Sequence, residues 1–306
     1  MDTLVTLRVD AISVESEVVR SIQLVSRDGS TLPPFTAGSH IDLHFPNGVR
    51  RSYSLINNPR ETHRYVLGIS RALESRGGSA YVHEQLRVGE TLTASWPRNT
   101  FPLIENAAHT VLIAGGIGIT PMLAMIHRLE ALGASWELHY AIRSRAAGAF
   151  LDRLTAWGDR IRLHADDEAG RPLDLAPILD AAQEGSHLYC CGPAGMLEAF
   201  IARAGARAVP SERVHYEYFN ADIDAAVEGG FELELRQSGV TLTVPEGKTI
   251  LDTVLDAGID AAYNCQEGHC GTCIVRVLEG IPDHRDIYLT EDEQAANDQM
   301  TICCSG

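Results

Sequence analysis

Residues 263–275 read YNCQEGHCGTCIV and place three cysteines in the spacing C-x4-C-x2-C. A pair of adjacent cysteines follows near the end of the chain. Three thiolates from one loop plus a distant fourth is the arrangement that holds a [2Fe–2S] cluster. A structural zinc site usually has two short pairs of ligands, and this region has one. The spacing therefore favours an iron–sulfur cluster over zinc. The three cysteines of the loop are Cys265, Cys270 and Cys273.

Two further details bear on how such a cluster would be held. Gly268 and Gly271 suit a loop whose backbone amides approach sulfur, and such amides help to set the reduction potential of a cluster. The fourth thiolate has two candidates, because Cys303 is followed directly by Cys304. Spacing alone leaves this choice open.

The composition is that of an ordinary globular protein with an acidic C-terminal quarter. The 306 residues are 45% apolar and 22% charged, with a formal net charge of −16. A chain of this length is expected to form two or three domains. From Glu228 onward there are 15 Asp and Glu against 4 Lys and Arg, a net charge of −11. Such a surface repels nucleic acid and attracts basic protein surfaces, although acidity that only keeps the protein in solution is an equal alternative.

No segment of the sequence indicates a membrane or an exported protein. The chain has no run of 18 apolar residues, and its first residues, MDTLVTLRVD, lack a basic patch followed by an apolar stretch. Seven cysteines in 306 residues are too sparse for a fold built on disulfides. We therefore expect a cytoplasmic protein that uses its cysteines as thiols or metal ligands.

Changes in hydrophobic pattern divide the chain into three regions. Residues 1–104 contain short alternating strands broken by Gly, Pro and Asn, which predicts an antiparallel β-barrel. Residues 105–224 alternate strands with helices and predict an α/β domain with a parallel sheet. Residues 225–306 contain a hairpin, FELEL and VTLTV, and a helix that Thr249 and Asp252 would cap. The fold class is therefore multidomain, with an α+β domain last.

The tail YNCQEGHCGTCIVRVLEGIPDHRD…MTICCSG resembles the plant-type ferredoxin domain of the phthalate dioxygenase reductase family, which also includes vanillate demethylase reductases. The resemblance covers essentially the whole chain. It implies a flavin-binding barrel, an NAD-binding α/β domain and a C-terminal ferredoxin domain of the β-grasp type. It also implies Cys303 as the fourth cluster ligand, since the family has its ligand at the first cysteine after MTI. Cys304 is then expected to be a small buried residue.

Two stretches of the first region carry a candidate flavin site. RSYSL at 51–55 matches the R-x-Y-S motif of these barrels, where Tyr can lie against the flavin ring, Ser can hydrogen-bond it and Arg can pair with a phosphate. SRGGSAYVH at 75–83 leads from glycines into a helix and offers backbone N–H groups to a phosphate. Either stretch alone is compatible with an ordinary strand or loop, but together they predict a site for a single phosphate. The family holds FMN there, so the choice of FMN over FAD rests on the resemblance.

A third stretch, SWPRNTF at 95–101, also matches the family and either lines the flavin pocket or only connects two domains. Ser54 is assigned a catalytic role as well as flavin contact. The residues predicted to bind flavin are Arg51, Ser52, Tyr53, Ser54, Gly77, Gly78, Ser79 and Asn99.

A candidate nicotinamide site begins at LIAGGIGITPM, residues 112–122, where glycines permit a tight turn close to a pyrophosphate. Thr120 can cap the following helix and bind a phosphate oxygen. The stretch lacks the third glycine of the Rossmann pattern and instead has the GG-x-G-x-TP form of ferredoxin-reductase NAD(P) domains. In the family's second element, CCGPAGM at 190–196, Cys191 would act beside the nicotinamide and flavin N5, the alternative being an inert strand cysteine. The predicted binding residues are Gly115, Gly116, Gly118, Thr120, Pro121, Cys191, Gly192 and Pro193.

The second strand of the α/β region ends in Arg143, Ser144 and Arg145. An acidic residue at this place would hold the ribose 2′-hydroxyl of NAD, whereas basic residues could suit a 2′-phosphate. Family members with similar segments favour NADH, so NADH is expected, with Arg143 and Ser144 among its contacts. Phe219 matches an aromatic that stacks on the flavin in the family and is assigned a catalytic position. A buried aromatic closing the sheet is the alternative.

These sites together predict an electron-transfer protein, because a nicotinamide delivers two electrons as hydride, a [2Fe–2S] cluster accepts one at a time, and a flavin can do both. The resemblance implies a reductase, expected to be a monomer, that passes electrons from NADH through FMN and the cluster to a Rieske-type oxygenase acting on aromatic rings or O-methyl groups. Two alternatives remain: a redox-sensing iron–sulfur flavoprotein, and a stand-alone NAD(P)H diaphorase whose last domain holds structural zinc.

Overall fold

The computed structural model describes residues 3–71, 77–219, 225–263, 266, 268 and 271–306. Contacts divide the chain into two compact units, Met1–Phe219 and Asn220–Gly306. Within the described ranges, the first unit contains a seven-stranded antiparallel sheet and a five-stranded parallel sheet, and the second contains two short two-stranded sheets.

The antiparallel sheet has the strand order β4-β3-β6-β1-β2-β5, with β7 paired to β3. A bridge between Leu55 and Leu67 joins the two outer strands and closes the sheet into a barrel. Alternate residues of β2 and β3 point inward, so that Ile22, Ile41 and Leu43 are completely buried. The elements are β1 (Leu4–Val14), β2 (Val19–Ser26), β3 (Ser39–His44), β4 (Arg50–Ser54), β5 (Arg64–Ser70), α1 (Gly78–Glu84), β6 (Thr91–Ser95) and β7 (Arg98–Asn99).

The parallel sheet has the strand order β10-β9-β8-β11-β12, in which the order reverses between β8 and β11. Such a reversal leaves a crevice at the carboxyl ends of the strands, where ligands bind in open α/β sheets. The elements are β8 (His109–Gly115), α2 (Ile119–Leu132), β9 (Trp136–Ile142), α3 (Leu151–Leu154), β10 (Ile161–Ala165), α4 (Asp166–Ala169), α5 (Ala176–Ala181), β11 (Ser186–Cys191), α6 (Ala194–Ala206) and β12 (Val214–Glu217).

The second unit begins with the hairpin that the sequence predicts, with Leu233 opposite Leu242. The predicted capping box is present, because the Thr249 side chain accepts a hydrogen bond from the Asp252 amide while the Asp252 carboxylate accepts one from the Thr249 amide. A second capping box, formed by Thr290 and Glu293, begins a helix that was not foreseen. The elements are β13 (Phe231–Leu235), β14 (Val240–Val244), α7 (Ile250–Asp256), β15 (Ile274–Arg276), α8 (Glu291–Ala296) and β16 (Gln299–Thr301).

The buried apolar side chains form four clusters. The barrel interior, one face of the parallel sheet and the C-terminal unit each have their own cluster. The fourth cluster covers the other face of the parallel sheet and includes barrel residues such as Val66 and Phe101. Complete burial of one Leu or Ile side chain stabilises a fold by roughly 1.5–3 kcal/mol. In the part of the chain that the structure describes, no helix combines the length and the apolar character needed to cross a bilayer.

Candidate functional site

Two glycine turns meet at the carboxyl edge of the parallel sheet. The first is the 3-10 turn Gly116–Gly118 that follows β8, and the second is the turn at Gly192 after β11. A Cβ atom on Gly118 would overlap the carbonyl group of Cys191 and lie 2.9 Å from the amide nitrogen of Gly192. Only a hydrogen atom fits between the turns, so the two predicted nicotinamide motifs form one continuous backbone surface.

The side chain of Met196, in the first turn of α6, fills the space beside both turns. A Cβ atom on Gly115 would lie 2.9 Å from the Met196 sulfur and 2.7 Å from Pro193 Cδ, and a Cβ atom on Gly192 would lie 2.8 Å from the same sulfur. Gly116 adopts a positive φ of 55°, a conformation that L side chains rarely adopt. Packing therefore requires glycine at Gly115 and Gly192, and backbone conformation favours it at Gly116. The sequence motifs did not single out Met196.

Cys191 lies in the sheet, paired in register with Ala114 of β8 on one side and Glu217 of β12 on the other. Its side chain is completely buried. Burial, reinforced by the Glu217 carboxylate, raises the pKa of the Cys191 thiol well above its ordinary value. The thiol is therefore neutral at physiological pH. Phe219 is half-buried and packs against the same apolar cluster as Cys191.

Glu217 is a candidate that the sequence motifs missed. It is the last residue of β12 and faces Cys191 across the strand pair, two residues before Phe219. A carboxylate at the carboxyl end of a parallel strand is a candidate ligand-binding residue when a glycine turn lies beside it. The sequence cannot show that the turn is adjacent unless the strand order is known.

The prediction that Thr120 caps α2 is wrong. The helix begins at Ile119 with Gly118 as its N-cap, so Thr120 is already inside the first turn. Its hydroxyl donates a hydrogen bond of 2.9 Å to the Ile117 carbonyl instead of accepting one from a helix amide. Pro121 follows in the first turn, as expected.

The two stretches predicted to hold flavin phosphate lie against each other. A Cβ atom on Gly78, the first residue of α1, would lie 2.7 Å from Arg51 Cγ and 3.4 Å from the Tyr53 hydroxyl. Gly77 precedes it in a left-handed conformation, with φ 98°. Burial raises the pKa of Tyr53, which is therefore a neutral phenol. Arg51, Tyr53, Gly78 and the following Ser79 thus form one cradle at the end of the barrel.

Ser52 points to the other face of β4, because successive side chains of a strand alternate. Its hydroxyl donates a hydrogen bond of 2.5 Å to the buried carboxylate of Asp42, which also pairs with Arg50 and Arg98. Burial opposes ionisation of Asp42, but the Ser52 hydrogen bond and the two guanidinium groups outweigh it and hold the pKa of Asp42 below its ordinary value. This placement favours a structural role for Ser52. Ser54 is buried at the end of the same strand.

The side-chain amide of Asn99 also makes its hydrogen bonds within the protein. Its amide donates to Thr36 Oγ1 at 2.7 Å and to the Ala37 carbonyl at 2.9 Å, and its carbonyl accepts from the Phe101 amide at 3.0 Å. The amide therefore clamps the β7 turn to the start of β3. This geometry favours a supporting role over direct contact with a cofactor.

Arg143, Ser144 and Arg145 follow β9 at the same edge of the parallel sheet as the glycine turns. Ser144 Oγ accepts a hydrogen bond of 3.3 Å from the Ala147 amide. Arg145 pairs with Glu168 through Nε at 2.6 Å and Nη2 at 3.3 Å. The basic character that the sequence indicates at this place is thus partly neutralised.

Two of the predicted cluster ligands, Cys273 and Cys303, lie in the described part of the chain, and both are buried. The Ile302 amide donates to the Cys273 carbonyl at 3.4 Å, so the segments that carry them are adjacent. Gly271 has φ 70°, and a Cβ atom there would overlap the ring of Tyr288. A loop with glycine at this position lets the backbone come close to a cluster that thiolates hold. The other two predicted ligands, Cys265 and Cys270, lie outside the described residues.

Cys304 is engaged in a different way. Its thiol lies 3.3 Å from Thr301 Oγ1 and 3.9 Å from Ser305 Oγ, both buried hydroxyls. Its carbonyl accepts a hydrogen bond of 2.7 Å from the Ala226 amide. This agrees with the expectation of a small buried residue that supports the fold.

Comparison with known proteins agrees with this geometry. A model of the 2Fe-2S iron-sulfur cluster binding domain matches residues 233–306. Phenoxybenzoate dioxygenase subunit beta of Ectopseudomonas oleovorans is 50% identical, over 99% of this chain and 94% of its own length. The chain belongs to the phthalate dioxygenase reductase family. Vanillate O-demethylase oxidoreductase of Pseudomonas putida is 43% identical, over 97% of this chain and 96% of its own.

The solved structure of phthalate dioxygenase reductase superposes on this chain with a TM-score of 0.82 and 34% identity, over 99% of this chain and 94% of that one. That protein is described as a modular structure for electron transfer from pyridine nucleotides to [2Fe-2S]. The chain of 306 residues is, like its relatives, an iron–sulfur flavoprotein oxidoreductase that uses flavin, NAD(H) and a [2Fe–2S] cluster. The cluster-binding match removes the zinc alternative for the last domain.

Proposed function

We propose that the protein is the NADH-dependent reductase component of a Rieske-type oxygenase system. The observation that carries the proposal is the packing of Gly118 onto Cys191, which unites both nicotinamide motifs at the crevice of the parallel sheet. The flavin, when bound, accepts hydride and releases electrons singly to the cluster. The chain's own residues bind and orient the groups and exclude water, and no acid–base pair is required.

We assign the coenzyme to the backbone surface of Gly115, Gly116, Gly118 and Gly192, with Pro121 and Pro193 shaping the turns. The neutral Cys191 thiol, Ser54 and Phe219 are proposed to border the place where nicotinamide and flavin meet. Cluster coordination is proposed for Cys265, Cys270, Cys273 and Cys303. The domain bounds 1–104, 105–224 and 225–306, the monomeric state and a cytoplasmic location belong to the same proposal.

We propose FMN as the flavin, bound through Arg51 and the turn Gly77–Ser79, which can serve one phosphate. Gly78→Ala is expected to weaken flavin binding roughly 10–100-fold, because a methyl group 2.7 Å from Arg51 Cγ would displace a charge-assisted phosphate contact. Fluorescence titration of the flavin-free protein with FMN and FAD measures the dissociation constants. Gly205→Ala, at a site with open space around the new methyl group, is the control. Unchanged FMN affinity in Gly78→Ala, or tighter binding of FAD than of FMN, would contradict the assignment.

The proposed electron acceptor is an oxygenase with a basic docking surface. The relatives named above belong to dioxygenase and O-demethylase systems, and the region from Glu228 onward carries a net charge of −11. Opposite charges steer association and do so less as salt screens them.

We expect turnover of a vanillate O-demethylase oxygenase component, measured at limiting reductase and saturating NADH, to fall several-fold between about 0.05 and 0.5 M salt. A small uncharged quinone used as the acceptor is the control, since its reduction should depend little on salt. Equal salt profiles for both acceptors would remove electrostatic steering, and no turnover with any Rieske-type oxygenase would contradict the proposed function.

A further inference from the structure

The carboxyl ends of β9 and β10 lie side by side. The two strands are parallel neighbours with Ile142 opposite Ala165, and the Asp167 amide donates a hydrogen bond of 3.1 Å to the Arg143 carbonyl just beyond them. β9 also neighbours β8, which ends in the first glycine turn. A dinucleotide whose pyrophosphate lies on that turn therefore directs its adenosine half toward the residues that follow β9 and β10.

The charges at this place are mixed. Arg143 and Arg145 follow β9, and three consecutive acids, Asp166, Asp167 and Glu168, form the first turn of α4 after β10. One of these acids is joined to a guanidinium in a fork: Glu168 Oε1 lies 2.6 Å from Arg145 Nε, and Glu168 Oε2 lies 3.3 Å from Arg145 Nη2. Two cations against three carboxylates leave a local formal charge of −1.

We propose that Glu168 sets the preference for NADH over NADPH by holding and neutralising Arg145, an inference that rests on the proposed nicotinamide function. A 2′-phosphate carries nearly two negative charges at neutral pH and would meet a net negative surface. The ribose 2′-hydroxyl of NADH is uncharged, so this surface does not repel it. Arg145 thus adds no uncompensated positive charge for a 2′-phosphate, because it is paired with an acid of α4, the helix that follows the neighbouring strand β10.

Glu168→Gln tests the proposal, since it keeps the shape of the side chain and removes its charge. Isothermal titration of the purified holoprotein with NADP+ and with NAD+ gives the two dissociation constants without reference to activity. The pair is solvent-exposed, so the effect is that of a surface charge: the dissociation constant for NADP+ is expected to fall about fivefold, with that for NAD+ changing less than twofold. In the double variant Glu168→Gln/Arg145→Ala the gain for NADP+ is expected to disappear.

Asp180→Asn is the matched control. Asp180 is an exposed acid on α5 that pairs with Arg203 of α6, so its replacement changes the net charge equally at a different place. It is expected to leave both dissociation constants unchanged. Equal tightening of NADP+ and NAD+ in Glu168→Gln, or the same gain in Asp180→Asn, would overturn the inference. If Glu168→Gln binds NAD+ normally and the ratio of its NADP+ and NAD+ dissociation constants is unchanged, the inference about Glu168 fails while the proposed function stands. If the unaltered protein binds neither coenzyme, the proposed function fails as well.

Discussion

Replacing Gly118 with alanine is expected to slow the reduction of bound flavin by NADH about a hundredfold or more. The new methyl group would overlap the Cys191 carbonyl and could be accommodated only if the two glycine turns move apart. Gly118 has φ −60°, which alanine adopts readily, so the effect comes from contact between the turns and not from backbone strain. A misplacement of about 1 Å between reacting groups costs roughly a hundredfold in rate.

Anaerobic stopped-flow spectroscopy of flavin bleaching after mixing with NADH measures this rate. The barrel proposed to hold the flavin has its own buried core, so flavin content should stay near that of the unaltered protein, whereas displacement of the Cys191 backbone should lower thermal stability. Gly205→Ala serves as the control, because a methyl group on that α6 glycine meets no atom within 4 Å. A Gly118→Ala protein with full flavin content and an unaltered rate of bleaching would show that the packed turns do not position the coenzyme.

The glycine motifs illustrate what a sequence pattern can and cannot predict. Both turns and their neighbouring helices follow from local composition, since glycines after an apolar strand and proline in a first helical turn are local signals. The contact between Gly118 and Cys191 depends on β8 and β11 being neighbours in the sheet, which is a property of the tertiary fold. For the same reason Met196 and Glu217 could be found only after the strand order was known.

A motif does not say which of its side chains are engaged elsewhere in the protein. Arg51 and Tyr53 share one face of β4, and strand alternation alone would have sent Ser52 to the other face. Its partner Asp42 comes from β3 and could not be foreseen without the register. Arg145 is a further example, because the sequence does not show that Glu168 pairs with it. An ion pair between segments far apart in the sequence cannot be read from a motif, yet it changes the charge that the motif offers to a ligand.

Cys303 is proposed as the fourth cluster ligand, and replacing it should have a large effect. Cys303→Ala is expected to lose essentially all cluster iron and acid-labile sulfide, while Cys304→Ala keeps them. Cys303 follows Ile302, whose amide donates a hydrogen bond to the carbonyl of Cys273, so it lies next to a proposed ligand. The Cys304 thiol contacts the hydroxyl of Thr301 as well as the side chain of Cys303, and its removal should cost about 1–3 kcal/mol of stability without removing a proposed ligand.

Iron analysis, visible absorbance and thermal unfolding of the two variants measure these expectations side by side. NADH should still bleach the flavin in Cys303→Ala, because that step occurs before the cluster, whereas reduction of cytochrome c through the cluster should fall to background. Thermal unfolding separates loss of a ligand from general unfolding of the C-terminal unit, since Cys304→Ala is the variant with the purely structural defect. Iron retained in Cys303→Ala but lost in Cys304→Ala would reverse the assignment. Cytochrome c reduction that survives the loss of iron would instead place the exit of electrons at the flavin, and the acidic C-terminal unit would then have no part in passing them on.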